Sequence, residues 1–178
     1  DALLAAADLS TWTGRRDRAL LLLSIQTGLR VCEIIGLRCE DVALGTGAHV
    51  SCTGKGRKKR STPLRKDVAR TLHAWIKERH GRDSDPLFPS TRRGPLSRDA
   101  IEHLVSKHVE ATSRSCPTLG RKRITPHVLR HTAAMELLQS GVDRSVIALW
   151  LGHESLETTQ IYLHADMAMK EKAMERTT

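Results

Sequence analysis

Five consecutive apolar residues, Ala19-Leu20-Leu21-Leu22-Leu23, lie in a segment of helical pattern, and Gly28 follows where a left-handed cap can end it. This run is far too short to cross a bilayer, so it predicts a helix over residues 15–26 of a folded domain. A sharp turn then presents Arg30, and residues 31–37 read as a short second helix. Residues 41–44, 49–53 and 60–64 read as three short strands separated by Gly-containing turns, the second turn being Gly54-Lys55-Gly56.

Helical signals resume downstream. Between residues 66 and 80, Val68, Leu72, Trp75 and Ile76 share one helical face, with Gly81 closing the helix, and residues 81–95 are a Pro- and Gly-punctuated loop. Ser97 caps a helix in which Ile101, Leu104, Val105, His108 and Val109 follow helical spacing, with Asp99 and Glu102 near its start, where the dipole favours acids. Residues 116–123 read as a basic loop. Thr125-Pro126 supplies an N-cap and a first-turn proline for a helix to about residue 139. Asp143 caps a helix over residues 146–151 that Gly152 ends, Ser155 caps another through Ile161 and Tyr162, and residues 166–176 form a final helix. The expected architecture is an α+β mixture, mainly helical with a small three-stranded antiparallel sheet, and no internal repeat appears.

At 178 residues the chain suits one domain with a real core, which needs no metal or disulfide to hold it. Lys and Arg outnumber Asp and Glu by 29 to 20, a formal charge of +9, which attracts polyanions and makes nucleic acid the first partner to consider. A soluble protein that is merely basic is the competing reading. The four cysteines, Cys32, Cys39, Cys52 and Cys116, form no C-x-x-C pair and read as small core residues in a reducing cytosol. A zinc site from Cys39, His49 and Cys52 matches no ligand spacing, and no metal is expected.

Exchange of a phosphodiester requires a nucleophile, cations on the non-bridging oxygens and an acid for the leaving oxygen. Arg30 and Arg130 stand at edges of the expected helices, and a guanidinium fork can bind two phosphate oxygens in one plane. His127, three residues before Arg130, projects from the same helical face, and His153 follows the Gly152 stop. Singly, each arginine reads more readily as a surface ion pair and each histidine as structural. Lys55 and its neighbours Arg57, Lys58, Lys59 and Arg60 form either a solvated hairpin tip or a patch for the phosphate backbone, and Arg121, Lys122 and Arg123 offer a second such patch.

Taken together, the strings Thr27-Gly28-Leu29-Arg30-Val31-Cys32-Glu33-Ile34, Gly54-Lys55-Gly56, Pro126-His127-Val128-Leu129-Arg130-His131-Thr132, Leu151-Gly152-His153 and Thr159-Gln160-Ile161-Tyr162 resemble the successive signature boxes of the tyrosine recombinases, or phage integrases. The resemblance implies their catalytic-domain fold and a site-specific DNA recombinase or integrase, an enzyme of mobile DNA elements that cleaves and rejoins DNA by transesterification. It implies that Tyr162 forms a 3′-phosphotyrosyl link and that Arg30 and Arg130 clamp the non-bridging oxygens. His127 and His153 would donate further hydrogen bonds, with His127 also helping to move the nucleophile's proton, Lys55 would be the general acid, and Glu33 would orient the catalytic groups without touching DNA. Tyr162 is the only tyrosine in the chain, so no second nucleophile of that type exists. A tyrosyl ester conserves the energy of the broken bond, so neither ATP nor another cofactor is expected. His131 is turned about 100° from Arg130 and is expected to face the core, and His164 lies outside the signature.

The resemblance further implies that residues 1–178 are the catalytic domain alone, without the DNA-binding domain that precedes it in the family. The partner would be double-stranded DNA, held by a tetramer on paired sites in the nucleoid of a bacterial-type cell. The isolated domain could be monomeric. The tail with Met167, Met169 and Met174 would dock on a neighbouring protomer or fold back on its own domain. Two other readings remain: a type IB topoisomerase-like enzyme, and a DNA-binding module that has lost catalysis.

Overall fold

A helix that is leucine on every side has no face to give to solvent, and the rest of the protein is built around one. In the computed structural model, which describes residues 2–54, 59–114, 116–120, 123–152 and 174–175, helix α2 runs Trp12–Thr27 after a short α1, Ala2–Ala5. Thr11 caps α2 by accepting a hydrogen bond from the Gly14 N–H at 3.0 Å, and Gly28 ends it with φ 63°. Leu20 to Leu23 are all buried. Because four successive residues point around the whole helix, neighbours must cover it on several sides. They are α1, α4 (Lys66–Arg79) and α7 (Pro126–Gln139).

Helix α3, Val31–Gly36, follows the Gly28 cap directly. A single 3-10 turn at Cys39–Asp41 leads into β1 (Val42–Ala43), β2 (His49–Thr53) and β3 (Lys59–Pro63), which pair antiparallel in that order. The β2–β3 register sets Val50 opposite Thr62 and Cys52 opposite Arg60. Side chains of directly paired residues lie on the same face of a sheet, so buried Cys52 and its partner Arg60 share the face toward α3. That alternation decides where one important guanidinium goes.

The main core joins α2 to Ile34 of α3, Val50 and Cys52 of β2, Val68, Leu72 and Trp75 of α4, and Ile101, Leu104 and Val105 of α5 (Arg98–Ser113). Ser97 caps α5 as expected, accepting from the Ala100 N–H at 3.1 Å. A second cluster lies between α7 and α8 (Arg144–Leu151), with Leu137, Val146, Ile147, Trp150 and Leu151. His108, on the apolar face of α5, is buried because Asp17 of α2 receives it at 3.2 Å along with the Arg16 guanidinium. No helix among the described residues is long and apolar enough to cross a membrane.

Several local expectations need correction. Helix α4 is closed by His80 in the left-handed conformation (φ 48°), one residue before Gly81. The basic loop after Cys116 contains a single helical turn, α6, Pro117–Gly120, started by its proline. Only Cys39 and Cys52 are buried; Cys32 is exposed and Cys116 half-buried. The helix expected from Ser155 lies outside the described residues, as does the tail apart from residues 174–175, where Met174 packs beside the second cluster. Leu21, completely buried in α2, tests the central role of that helix: Leu21→Ala should cost about 2–5 kcal/mol, read as a lower denaturation midpoint with the cooperativity retained.

Candidate active site

Where α2 ends, three chain segments come too close together for any side chain but hydrogen. A Cβ on Gly28 would stand 2.7 Å from Leu151 Cδ2 and 3.3 Å from Ala133 Cβ. The left-handed cap and the close approach thus require glycine at the same position. This junction of α2, α7 and α8 is where the two candidate arginines meet.

Arg130 is buried on α7, and its guanidinium donates to the Gly28 carbonyl at 2.5 Å and to the Leu151 carbonyl at 2.8 Å. Arg30, at the N-cap of α3, reaches the next carbonyl, Gly152, at 3.1 Å. Both arginines therefore serve the unpaired carbonyls that end α8, the negative pole of that helix. The turn itself depends on Gly152, with φ 66°.

Glu33, on the first turn of α3, is almost completely buried. It accepts from the Arg30 backbone N–H at 2.7 Å, the carboxylate half of a capping box. It also accepts from the Arg30 guanidinium at 3.2 Å and from both terminal nitrogens of Arg60 at 2.6 and 2.8 Å. Burial by itself would raise the Glu33 pKa, but the hydrogen bonds from Arg60 and the Arg30 backbone outweigh it and hold the carboxyl below its ordinary range. Arg130 moves the other way: burial first, and the neighbouring Arg30 charge second, push its pKa down to about 10. It remains charged at neutral pH, in a field already positive.

Three guanidinium groups and one carboxylate leave two formal positive charges, with Arg30 still about a third exposed. Such a site favours an anion, and the planar forks suit the oxygens of a phosphate. His127 is exposed on the first turn of α7, three residues before Arg130; Thr125 caps that turn through the Val128 N–H at 3.3 Å. His131 faces solvent. Arg130 is the residue that points inward, so a turn of about 100° carries its neighbour away from the core.

Of the basic residues read as a backbone patch, Lys59 and Arg123 are exposed. Arg60 is turned into the site and held by Glu33. Lys55, Arg57, Lys58, Arg121, Lys122, His153 and Tyr162 lie outside the described residues. Among those described, no group of three or more His, Cys, Asp or Glu is placed to hold a metal ion.

The family model of the phage integrases matches residues 1–169. The chain belongs to that family. This phage integrase family member is 56% identical to y4rC of Sinorhizobium fredii, named as an integrase/recombinase, over 99% of this chain and 53% of that protein. The crystal structure of the XerA recombinase superposes with a TM-score of 0.75 at 32% identity, covering 98% of this chain and 60% of the other. The XerH site-specific recombinase, solved with a palindromic difH substrate after cleavage, superposes with a TM-score of 0.72 at 27% identity, covering 98% and 50%. The chain thus spans about half the length of the curated relatives it matches. The mainly helical fold with its small antiparallel sheet is that of the catalytic core of the tyrosine recombinases.

Because the Glu33 pKa is lowered in the folded protein, its contribution to stability is present above the ordinary carboxylate pKa of 4.5 and is lost as pH falls through the lower folded value. Glu33→Gln should therefore flatten the acid limb of the stability curve, while lowering stability at neutral pH by leaving Arg60 buried without its counter-charge. Thermal melts of both proteins across that range check it; parallel acid limbs would show that Glu33 is not held charged.

Proposed function

We propose that this protein is a site-specific DNA recombinase or integrase that uses Tyr162 as its nucleophile. The observation that carries the proposal is the convergence of Arg30 and Arg130 on the end of α8, at a surplus of positive charge and one residue before His153 in sequence. The Tyr162 oxygen attacks the scissile phosphorus while Arg30 and Arg130 hold the non-bridging oxygens, where charge grows in the pentacovalent state. The P–O5′ bond breaks, a 3′-phosphotyrosyl ester forms, and Lys55 delivers a proton to the departing 5′-oxygen. His127 accepts the tyrosine proton, and His153 donates a further hydrogen bond to the phosphate. Glu33 orients Arg30 through its backbone N–H and guanidinium. The reverse attack by a 5′-hydroxyl restores the phosphodiester, so no nucleotide or metal is consumed in this scheme.

Double-stranded DNA is the proposed substrate, and the XerH complex offers the precedent within the same fold. The exposed Lys59 and Arg123, with Arg57, Lys58, Arg121 and Lys122 beside them in sequence, are proposed to line the backbone. Strand exchange would take place in a tetramer on paired sites, with the tail docked within or between protomers, in the nucleoid of the cell.

Covalent protein–DNA adducts recovered from cells expressing the intact protein, with sequencing of the attached ends, test the scheme. The expected result is adducts on 3′ ends that disappear in Tyr162→Phe. Adducts that persist unchanged in that variant, or that sit on 5′ ends, would remove Tyr162 from the proposed role. On a substrate recovered this way, Lys55→Ala should slow cleavage about 10²–10⁴-fold. A sulfur at the 5′-bridging position, which leaves without a proton, should restore most of that rate; no recovery would exclude Lys55 as the acid.

A further inference from the structure

We infer that Arg60 is a positioning residue for the phosphate site: by occupying both oxygens of Glu33 it keeps the Arg30 guanidinium available to an anion. The inference rests on the proposal that Arg30 and Arg130 hold a phosphate.

The four bonds to Glu33 are unequal. Oε1 accepts from Arg60 Nη1 at 2.6 Å and from Arg30 Nη1 at 3.2 Å, and Oε2 accepts from Arg60 Nη2 at 2.8 Å and from the Arg30 backbone N–H at 2.7 Å. Arg60 thus makes the bidentate fork, the strong geometry for a carboxylate, and the guanidinium of Arg30 is left with the longest bond of the set. Among the described residues, a Glu33 side chain without Arg60 would have one cationic neighbour bonded to it, Arg30, which is a proposed phosphate ligand. The carboxylate would then compete with the incoming anion for Arg30.

Arg60 is ill placed to be a phosphate ligand itself. Its side chain is only 10% exposed, its two terminal nitrogens are committed to Glu33, and its Nε is buried without a partner among the described residues. It is also packed against the turn that closes α8, where a Cβ on Gly152 would stand 2.5 Å from Arg60 Nη1. The same side chain therefore braces the carbonyl that receives Arg30 and ties β3, the strand that follows the Lys55 turn in sequence, to α3. Glu33 holds Arg60 charged against the cost of burial, which fits a permanent counter-charge.

Counting these four side chains, the wild-type cluster carries three positive charges and one negative, a net +2. Arg60→Met lowers it to +1, and Arg60→Met combined with Glu33→Gln returns it to +2 with Arg30 and Arg130 intact. Binding of inorganic phosphate to the intact protein, followed by titration calorimetry, should weaken about tenfold in Arg60→Met and recover to near the wild-type value in the double variant. Arg60→Lys, which keeps the charge but cannot fork across both oxygens, should fall between wild type and Arg60→Met and guards against a variant that fails to fold.

A double variant as weak as Arg60→Met would make Arg60 a direct ligand and overturn the inference, as would unchanged phosphate affinity in Arg60→Met or an Arg60→Lys as weak as it. Failure of the underlying proposal reads out separately, as phosphate binding to the wild-type protein that Arg30→Ala leaves unchanged.

Discussion

Three guanidinium groups are held within reach of a single buried carboxylate, and much of the structure around them exists to make that tolerable. Like charges gathered in a partly dry place repel one another, and the lowered pKa of Arg130 registers both its burial and the nearby Arg30. Glu33 offsets only part of this. The remaining charge is eased by backbone: the carbonyls of Gly28, Leu151 and Gly152 point at Arg130 and Arg30. Two of the acceptors are glycines in left-handed conformations, so the cluster and the helix ends that support it are one construction.

The helices set this geometry from a distance. Helix α2, buried along its leucine run, fixes where Gly28 emerges; α3 starts at once and places Arg30 and Glu33 a turn apart; α7 packs on α2 and carries Arg130 to the same point. Helix α8 ends there because Gly152 ends it. The proposed phosphoryl transfer would need cations placed before the charge develops, and among the described residues helix termini place Arg30.

Much of this was legible in the sequence because it is local. Capping residues and glycine stops marked Thr125-Pro126, Ser97, Gly28 and Gly152, and the spacing of apolar residues marked α4 and α5. Arg30 and Arg130 stood out by their places at helix edges. Arg60 was hidden in a run of basic residues that reads as one solvated tip. Alternation along β3 separates it from exposed Lys59, and pairing with buried Cys52 turns it inward; the signal was present but needed the register. His131 shows the opposite failure. Helical rotation does carry it away from Arg130, but the core lies on the arginine's side, and a buried arginine is the unexpected case. A four-residue helix such as α6 is too short to carry a period at all.

The central claim is that Arg30 and Arg130 together form a site for a phosphate group. Side-chain nitrogen NMR of the arginines during titration with inorganic phosphate tests it most directly. The Arg30 and Arg130 resonances should shift together along one saturable curve while the Arg60 signal, fixed by Glu33, moves little. Phosphate that shifts only the surface arginines, leaving Arg30 and Arg130 where they were, would contradict it.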